Sequence, residues 1–209
     1  MKIVVFGASR GVGINVVEQA LQAGHSVTAF VRSPETFKLQ HANLIVFKGD
    51  AMDASAVEQA IAGQEAVISA LGPTRPPVPH MMETSAKNIV AGMKKHGVKR
   101  LVSTTGAGVR QPEDQPKFID HFFGFLLNIL AKDVVLDSAA NVRVIQSSDL
   151  DWSVVRYPRL VDGERKGVYR VGYVGKDSGT QITRADGADF VLKELDEKKW
   201  LRKLPVVSY

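Results

Sequence analysis

Short, unbroken apolar runs alternate along the chain with segments in which apolar positions recur at helical spacing. Residues 3–6 read as a buried strand ended by Gly7. Ile14, Val17 and Leu21 then share one helical face, and Gly24 suits the position just past a helix end. Residues 27–31 form the second strand, and Ser33-Pro34 predicts the cap and first position of a short helix. The third strand is 44–47. Asp53 caps a helix carrying Val57 and Ile61, closed by Gly63, and 66–71 is the fourth strand. Prolines at 73, 76, 77 and 79 make a stiff loop, because proline forbids both helix and ladder. A helix follows over about 81–96 with Gly97 closing it, then a fifth strand at 101–104.

The alternation weakens after Thr105. Residues 106–117 read as loop, 118–131 are strongly apolar and aromatic, and roughly 134–147 is a helix. Residues 152–156 form a sixth strand and 167–174 a short one. Thr183 with Asp186 makes a capping box before a helix through Leu195, and 204–207 is the last strand. This alternation predicts an α/β fold: a single-domain, Rossmann-type, doubly wound and mainly parallel sheet flanked by helices. The 209 residues suit one such domain, with a small substrate-side portion over about 106–209. Right-handed crossovers bring the first βα turn to the carboxyl edge, where strand order reverses and ligands bind.

Composition removes several alternatives. No apolar run is long enough to span a membrane, and the apolar start is too short for a signal peptide. The absence of cysteine excludes disulfides, thiolate metal sites and a cysteine nucleophile, and the expected location is the cytoplasm. The net charge of +5 comes from scattered residues, and neither Lys94-Lys95…Lys99-Arg100 nor Lys198-Lys199…Arg202-Lys203 is interleaved with aromatics, which argues against nucleic-acid binding. No His, Asp or Glu grouping has metal-ligand spacing, and no serine sits in a Gly-x-Ser-x-Gly elbow.

The chemistry concentrates in Gly7-Ala8-Ser9-Arg10-Gly11-Val12-Gly13, which follows a strand and opens an amphipathic helix. Gly7 permits the tight turn, Gly11 lets the backbone approach a pyrophosphate, and Gly13 allows close packing; the alternative is a purely structural turn. An NAD site places an acid at the end of the second strand, but this chain reads Phe30-Val31-Arg32-Ser33. Arg32 and Arg10 suit a 2′-phosphate, so NADP(H) is expected over NAD(H), unless both arginines are solvated surface charges. Asp50, next to Ala51, either accepts a hydrogen bond from the adenine amino group or is a plain turn residue. Ala70-Leu71-Gly72 would flank the adenosine.

The Gly-x-x-x-Gly-x-Gly spacing resembles the short-chain dehydrogenase/reductase superfamily. Further matches are Val5-Phe6-Gly7-Ala8-Ser9, Val27-Thr28-Ala29-Phe30-Val31-Arg32, Gly49-Asp50, Ala62-Gly63-Gln64-Glu65-Ala66-Val67-Ile68, Ala86-Lys87-Asn88-Ile89-Val90, Lys94-Lys95-His96-Gly97-Val98, Ser148-Asp149-Leu150-Asp151-Trp152-Ser153-Val154-Val155-Arg156 and Ile182-Thr183-Arg184-Ala185-Asp186. Together they resemble the atypical, NAD(P)H-binding, NmrA-like group, and within it the biliverdin-IXβ reductase (flavin reductase) branch. The resemblance implies an NADP(H) site and reduction of flavins or other conjugated planar molecules. The superfamily's Tyr-x-x-x-Lys pair is missing, because the expected positions hold Ala139 and Arg143. Thr104 and Thr105 end the fifth strand, followed by Gly106 where the branch has serine.

Remaining candidates lie on the substrate side. His121, among Phe118, Phe122, Phe123 and Phe125, is a candidate proton donor, or part of a core or dimer face. Tyr157-Pro158-Arg159 follows the sixth strand, where the resemblance implies that backbone lines the nicotinamide, and Arg159 could meet an anionic substrate. The expected activity is hydride transfer from NADPH to a flavin, quinone or similar planar acceptor, by a monomer or homodimer. A regulator that senses NADP(H) without turnover is the alternative; an epimerase or dehydratase would need the missing tyrosine.

Overall fold

This structure, a computed structural model, describes residues 1–74, 76–116 and 131–209. The first half runs β1 (Lys2–Phe6), α1 (Gly11–Gln22), β2 (Ser26–Val31), a 3-10 turn (Pro34–Thr36), β3 (Leu44–Lys48), α2 (Ala54–Ile61), β4 (Ala66–Ser69), α3 (Met81–Lys95) and β5 (Arg100–Gly106). The second half runs α4 (Lys132–Gln146), β6 (Asp151–Tyr157), β7 (Arg159–Val161), β8 (Arg170–Gly172), β9 (Gln181–Thr183), α5 (Arg184–Glu197) and β10 (Val206–Ser208). Strand order in the main sheet is β3-β2-β1-β4-β5-β6-β10-β8, with only β8 antiparallel to its neighbour. That is the doubly wound Rossmann arrangement, with its order reversing between β1 and β4.

The central strands are apolar throughout because both faces are covered. In β1, Ile3 and Val5 point to a cluster that includes Val16 and Val17 of α1 and Val191 and Leu195 of α5. Val4 and Phe6 point to the opposite cluster, with Ile61 of α2, Met93 of α3 and Ile145 of α4. This is the two-residue alternation of a strand with a layer on each side. α1 ends where Gly24 takes φ +82°; its N–H donates to the Leu21 carbonyl and the His25 N–H to that of Ala20, the six-to-one closure that glycine favours.

Several boundaries differ from the sequence reading. β4 stops at Ser69, β10 is displaced to Val206–Ser208, and of the expected 167–174 run only Arg170–Gly172 joins the main sheet, with Tyr173 bridging to Lys176. β7 and β9, both unanticipated, form a separate parallel ladder, and Leu160 of β7 lines the cleft. The capping box at α5 is half formed. Thr183 Oγ1 accepts from the Asp186 N–H at 3.1 Å, but the Thr183 N–H donates to the Tyr209 hydroxyl. The buried Asp186 carboxylate instead accepts from the amides of Lys166 and Gly167 and, at 2.6 Å, from the Tyr209 hydroxyl.

Candidate functional site

The turn after β1 sits at the carboxyl edge, and its spacing follows from backbone contacts. A Cβ on Gly13 would lie 2.0 Å from the Gly7 carbonyl oxygen, and one on Gly7, at φ +76°, would lie 2.6 Å from that of Ala70. Gly11 has open space before it. The cap of α1, Arg10, makes no side-chain cap bond, whereas Asp53 and Thr183 cap α2 and α5. The first turn of α1 therefore keeps amide donors and partial positive charge toward the cleft, an arrangement that fits an anionic diphosphate. The residues present fit a dinucleotide.

That turn opens on a cavity of about 860 Å³ crossing the strand ends. At the β2–β3 end Phe30 forms its floor, tilted on Phe6 at 4.7 Å and stacked on Phe47 at 5.7 Å. Gly49 admits that ring, since a Cβ there would meet it at 2.4 Å. Arg10 and Arg32 both line this end, with Asp50 as the one carboxylate among the described lining residues. One oxygen of Asp50 accepts from the Met52 N–H at 2.9 Å, which holds the turn into α2. Ser9, Gly11, Val12, Ala51, Ala70, Leu71 and Gly72 line the middle.

The β5–β6 end is formed by Thr104, Thr105, Ser138, Tyr157, Pro158, Leu160 and Arg184. The Tyr157 hydroxyl donates to the Gly187 carbonyl at 2.8 Å, and burial pushes its phenol far above the ordinary range. Gly187 makes room for that ring. Ser138 is aimed by its neighbours on α4: the Asp137 carboxylate accepts from the Met82 and Glu83 amides at 2.9 and 3.0 Å, and Asn141 Nδ2 donates to the Met82 carbonyl. The start of α3 is thereby capped from α4.

A buried ion pair ties the loop after β5 to the sheet. Arg156 is fully buried, and its Nη1 and Nη2 each donate to an Asp114 carboxylate oxygen at 2.7 Å. Its Nε donates to the Leu204 carbonyl and Nη1 also to that of Val109. Asp114 accepts further from the Gln111 and Val174 amides. Burial would raise the Asp114 carboxyl, but Arg156 and those amides outweigh it and hold the group below its ordinary value.

Most of the residues expected at the cofactor site line this cavity, but four do not. Ser33 is exposed outside it, its carbonyl used by Thr36 to close the 3-10 turn. Arg159 is exposed because strand alternation turns Leu160, not Arg159, to the cleft. Arg143 borders a separate hollow of about 370 Å³, since it lies five residues, about 140° of helix rotation, from Ser138. Gly13 packs against Gly7 beneath the surface. The cleft-facing position of α4 is thus Ser138, one residue before the Ala139 read from the sequence. His121, Phe118, Phe122, Phe123 and Phe125 lie outside the described residues. Ser138, Arg184 and the Asp114–Arg156 pair were missed; the resemblance over Ile182-Thr183-Arg184-Ala185-Asp186 was the available signal for Arg184.

A parallel doubly wound sheet with a glycine cradle at its switch point defines a dinucleotide-binding protein. The chain belongs to the NAD(P)H-binding family, whose profile matches residues 7–198. The uncharacterized protein YwnB of Bacillus subtilis is 26% identical over 211 residues, covering 94% of this chain and 92% of its own. A wide-type short-chain dehydrogenase/reductase of Veillonella parvula, solved in complex with NADP, superposes with a TM-score of 0.83 at 18% identity, covering 100% of this chain and 94% of its own. ChuY, described as an anaerobillin reductase of Escherichia coli O157:H7, gives 0.75 at 21%, covering 100% and 97%. The fold is that of the NAD(P)H-binding oxidoreductases. No helix among the described residues is long and apolar enough to cross a membrane.

Proposed function

We propose that the protein is an NADPH-dependent oxidoreductase that reduces a flavin, a quinone or a similarly conjugated planar acceptor. One observation carries this reading: among the described residues, the β5–β6 end of the cleft has no group suited to protonate an alkoxide. Thr104, Thr105 and Ser138 are alcohols, Arg184 brings a guanidinium, and the Tyr157 phenol is engaged with Gly187. The cofactor, when bound, supplies the hydride. An acceptor that delocalises the arriving charge takes its proton from water and so needs no positioned acid. Gly7 to Gly13 would hold the pyrophosphate, Arg10 and Arg32 the 2′-phosphate, and Thr104, Thr105 and Pro158 would shape the nicotinamide pocket. The NADP in the Veillonella structure and the reductase description of ChuY support the same direction. A second reading, a sensor that binds NADP(H) without turnover, is favoured by the same lack of an acid among the described residues.

Steady-state oxidation of NADPH against FMN, riboflavin, menadione and simple ketones tests this. A positioned acid contributes about 10²–10⁴-fold, so ketones should trail flavins and quinones by that margin. Brisk ketone reduction with no flavin or quinone turnover would overturn the reading. Tight NADPH binding with no turnover on any acceptor would establish the sensor.

A further inference from the structure

We propose that Arg184 anchors the acceptor by binding an anionic substituent, a carboxylate or phosphate, in exchange for Asp162. This rests on the acceptor-reducing reading above and adds the substrate class. Arg184 lines the cavity beside Pro158 and Leu160, and it is the one charged group at that end among the described lining residues. Arg32 and Pro158 follow β2 and β6, four strand steps apart, about 19 Å at the usual spacing. A phosphate held at Arg32 is therefore out of reach of Arg184, which serves whatever stands at the β5–β6 end.

The present partner of Arg184 is exchangeable. β7 and β9 pair Val161 with Thr183, so Asp162 and Arg184 are the next pair, just past the end of the ladder. Arg184 Nη1 donates to Asp162 Oδ1 at 2.6 Å, but the Asp162 side chain is 94% exposed, and exposed pairs contribute little. Nε and Nη2 have no protein partner among the described residues, so the fork can still accept a planar or tetrahedral anion in two-point contact. The helix end itself does not attract the anion, because Thr183 and the Asp186 carboxylate already occupy it. Asp162 thus keeps the guanidinium in place, and an acceptor's anion displaces it at small cost.

FMN and riboflavin differ by one phosphate monoester and provide the test. For the unaltered protein, kcat/KM with FMN should exceed that with riboflavin about tenfold, or about 1.4 kcal/mol. Arg184→Gln should bring the ratio to about one, and Asp162→Asn, which removes the competitor, should widen it. A ratio near one in the unaltered protein, or equal losses for both flavins in R184Q, would overturn the proposal. So would a rise in the Kd for NADPH matching the loss for FMN, since Arg184 would then serve the cofactor. If neither flavin nor quinone turns over, it is the oxidoreductase reading that fails. Flavin fluorescence quenching on the protein with NADP⁺ then decides: an FMN preference lost in R184Q upholds the anchor, and its absence refutes it.

Discussion

The two ends of the cleft are built by different means. At the β1–β2 end, the cradle is made of backbone: Gly7, Gly11 and Gly13 lie within seven residues, Gly7 and Gly13 pressed against neighbouring backbone and Gly11 at φ +62° beside open space. At the β5–β6 end, the walls are held by charged side chains that join distant segments. Asp114 reaches Arg156 across 42 residues, and Asp186 reaches Tyr209 across 23. A backbone cradle admits no side chain at Gly7 or Gly13 but has little to titrate. A side-chain latch can be reshaped residue by residue, and it depends on charge.

The largest effect that would break this contrast is expected from Asp114→Ala. It leaves Arg156 buried without its counter-charge, which costs about 3–5 kcal/mol. Urea denaturation should show that loss, while NADPH affinity per folded molecule changes by about twofold or less, as for separated sites. A large fall in NADPH affinity would show that the two ends are coupled. The same pair sets an acid limit. Because the folded Asp114 carboxyl is held below its ordinary value, its contribution is complete above the unfolded value of about 3.9 and is lost as pH falls through the lower folded one. Asp114→Asn should flatten the stability profile in that acid range.

Gly13→Ala probes the opposite end. Its methyl group meets the Gly7 carbonyl, which cannot move without dragging β1, so a loss of about 3 kcal/mol is expected, the upper range for overpacking. Calorimetry and NADPH titration should both register it; full retention of binding would mean that the turn opens. The smallest effect sharpens the cofactor assignment. Arg32→Ala should weaken NADPH about tenfold, roughly 1.4 kcal/mol, and leave NADH nearly unchanged, read by fluorescence titration. Equal losses for both nucleotides would remove Arg32 from the 2′-phosphate.

The same contrast explains what could be read from the sequence. Strands β1 to β6, the glycine turn and the caps at Asp53 and Thr183 depend on neighbours within a few residues, and all were legible as spacing. Ala51, Ala70, Leu71 and Gly72, expected after the third and fourth strands, line the cavity. The latches were not legible, since nothing local distinguishes Asp114 from the exposed Glu113 beside it. Arg159 and Arg184 show the same limit: the first looked better placed, and a single step of strand alternation turned it outward. Arg143 failed through one residue of helical phase. β7 and β9 are too short for periodicity to show, and the site needs them.

The uncapped start of α1 has a consequence beyond catalysis. Most helices complete their first turn with a side chain of their own, but here a bound nucleotide would complete it. At a free nucleotide level one hundred times the Kd, binding adds about 2.7 kcal/mol to the folded state. A cell that depletes its nucleotide pool would raise the unfolded fraction of this protein about a hundredfold and expose it to proteases. Its abundance would then follow the supply of its own cofactor, without any dedicated regulator.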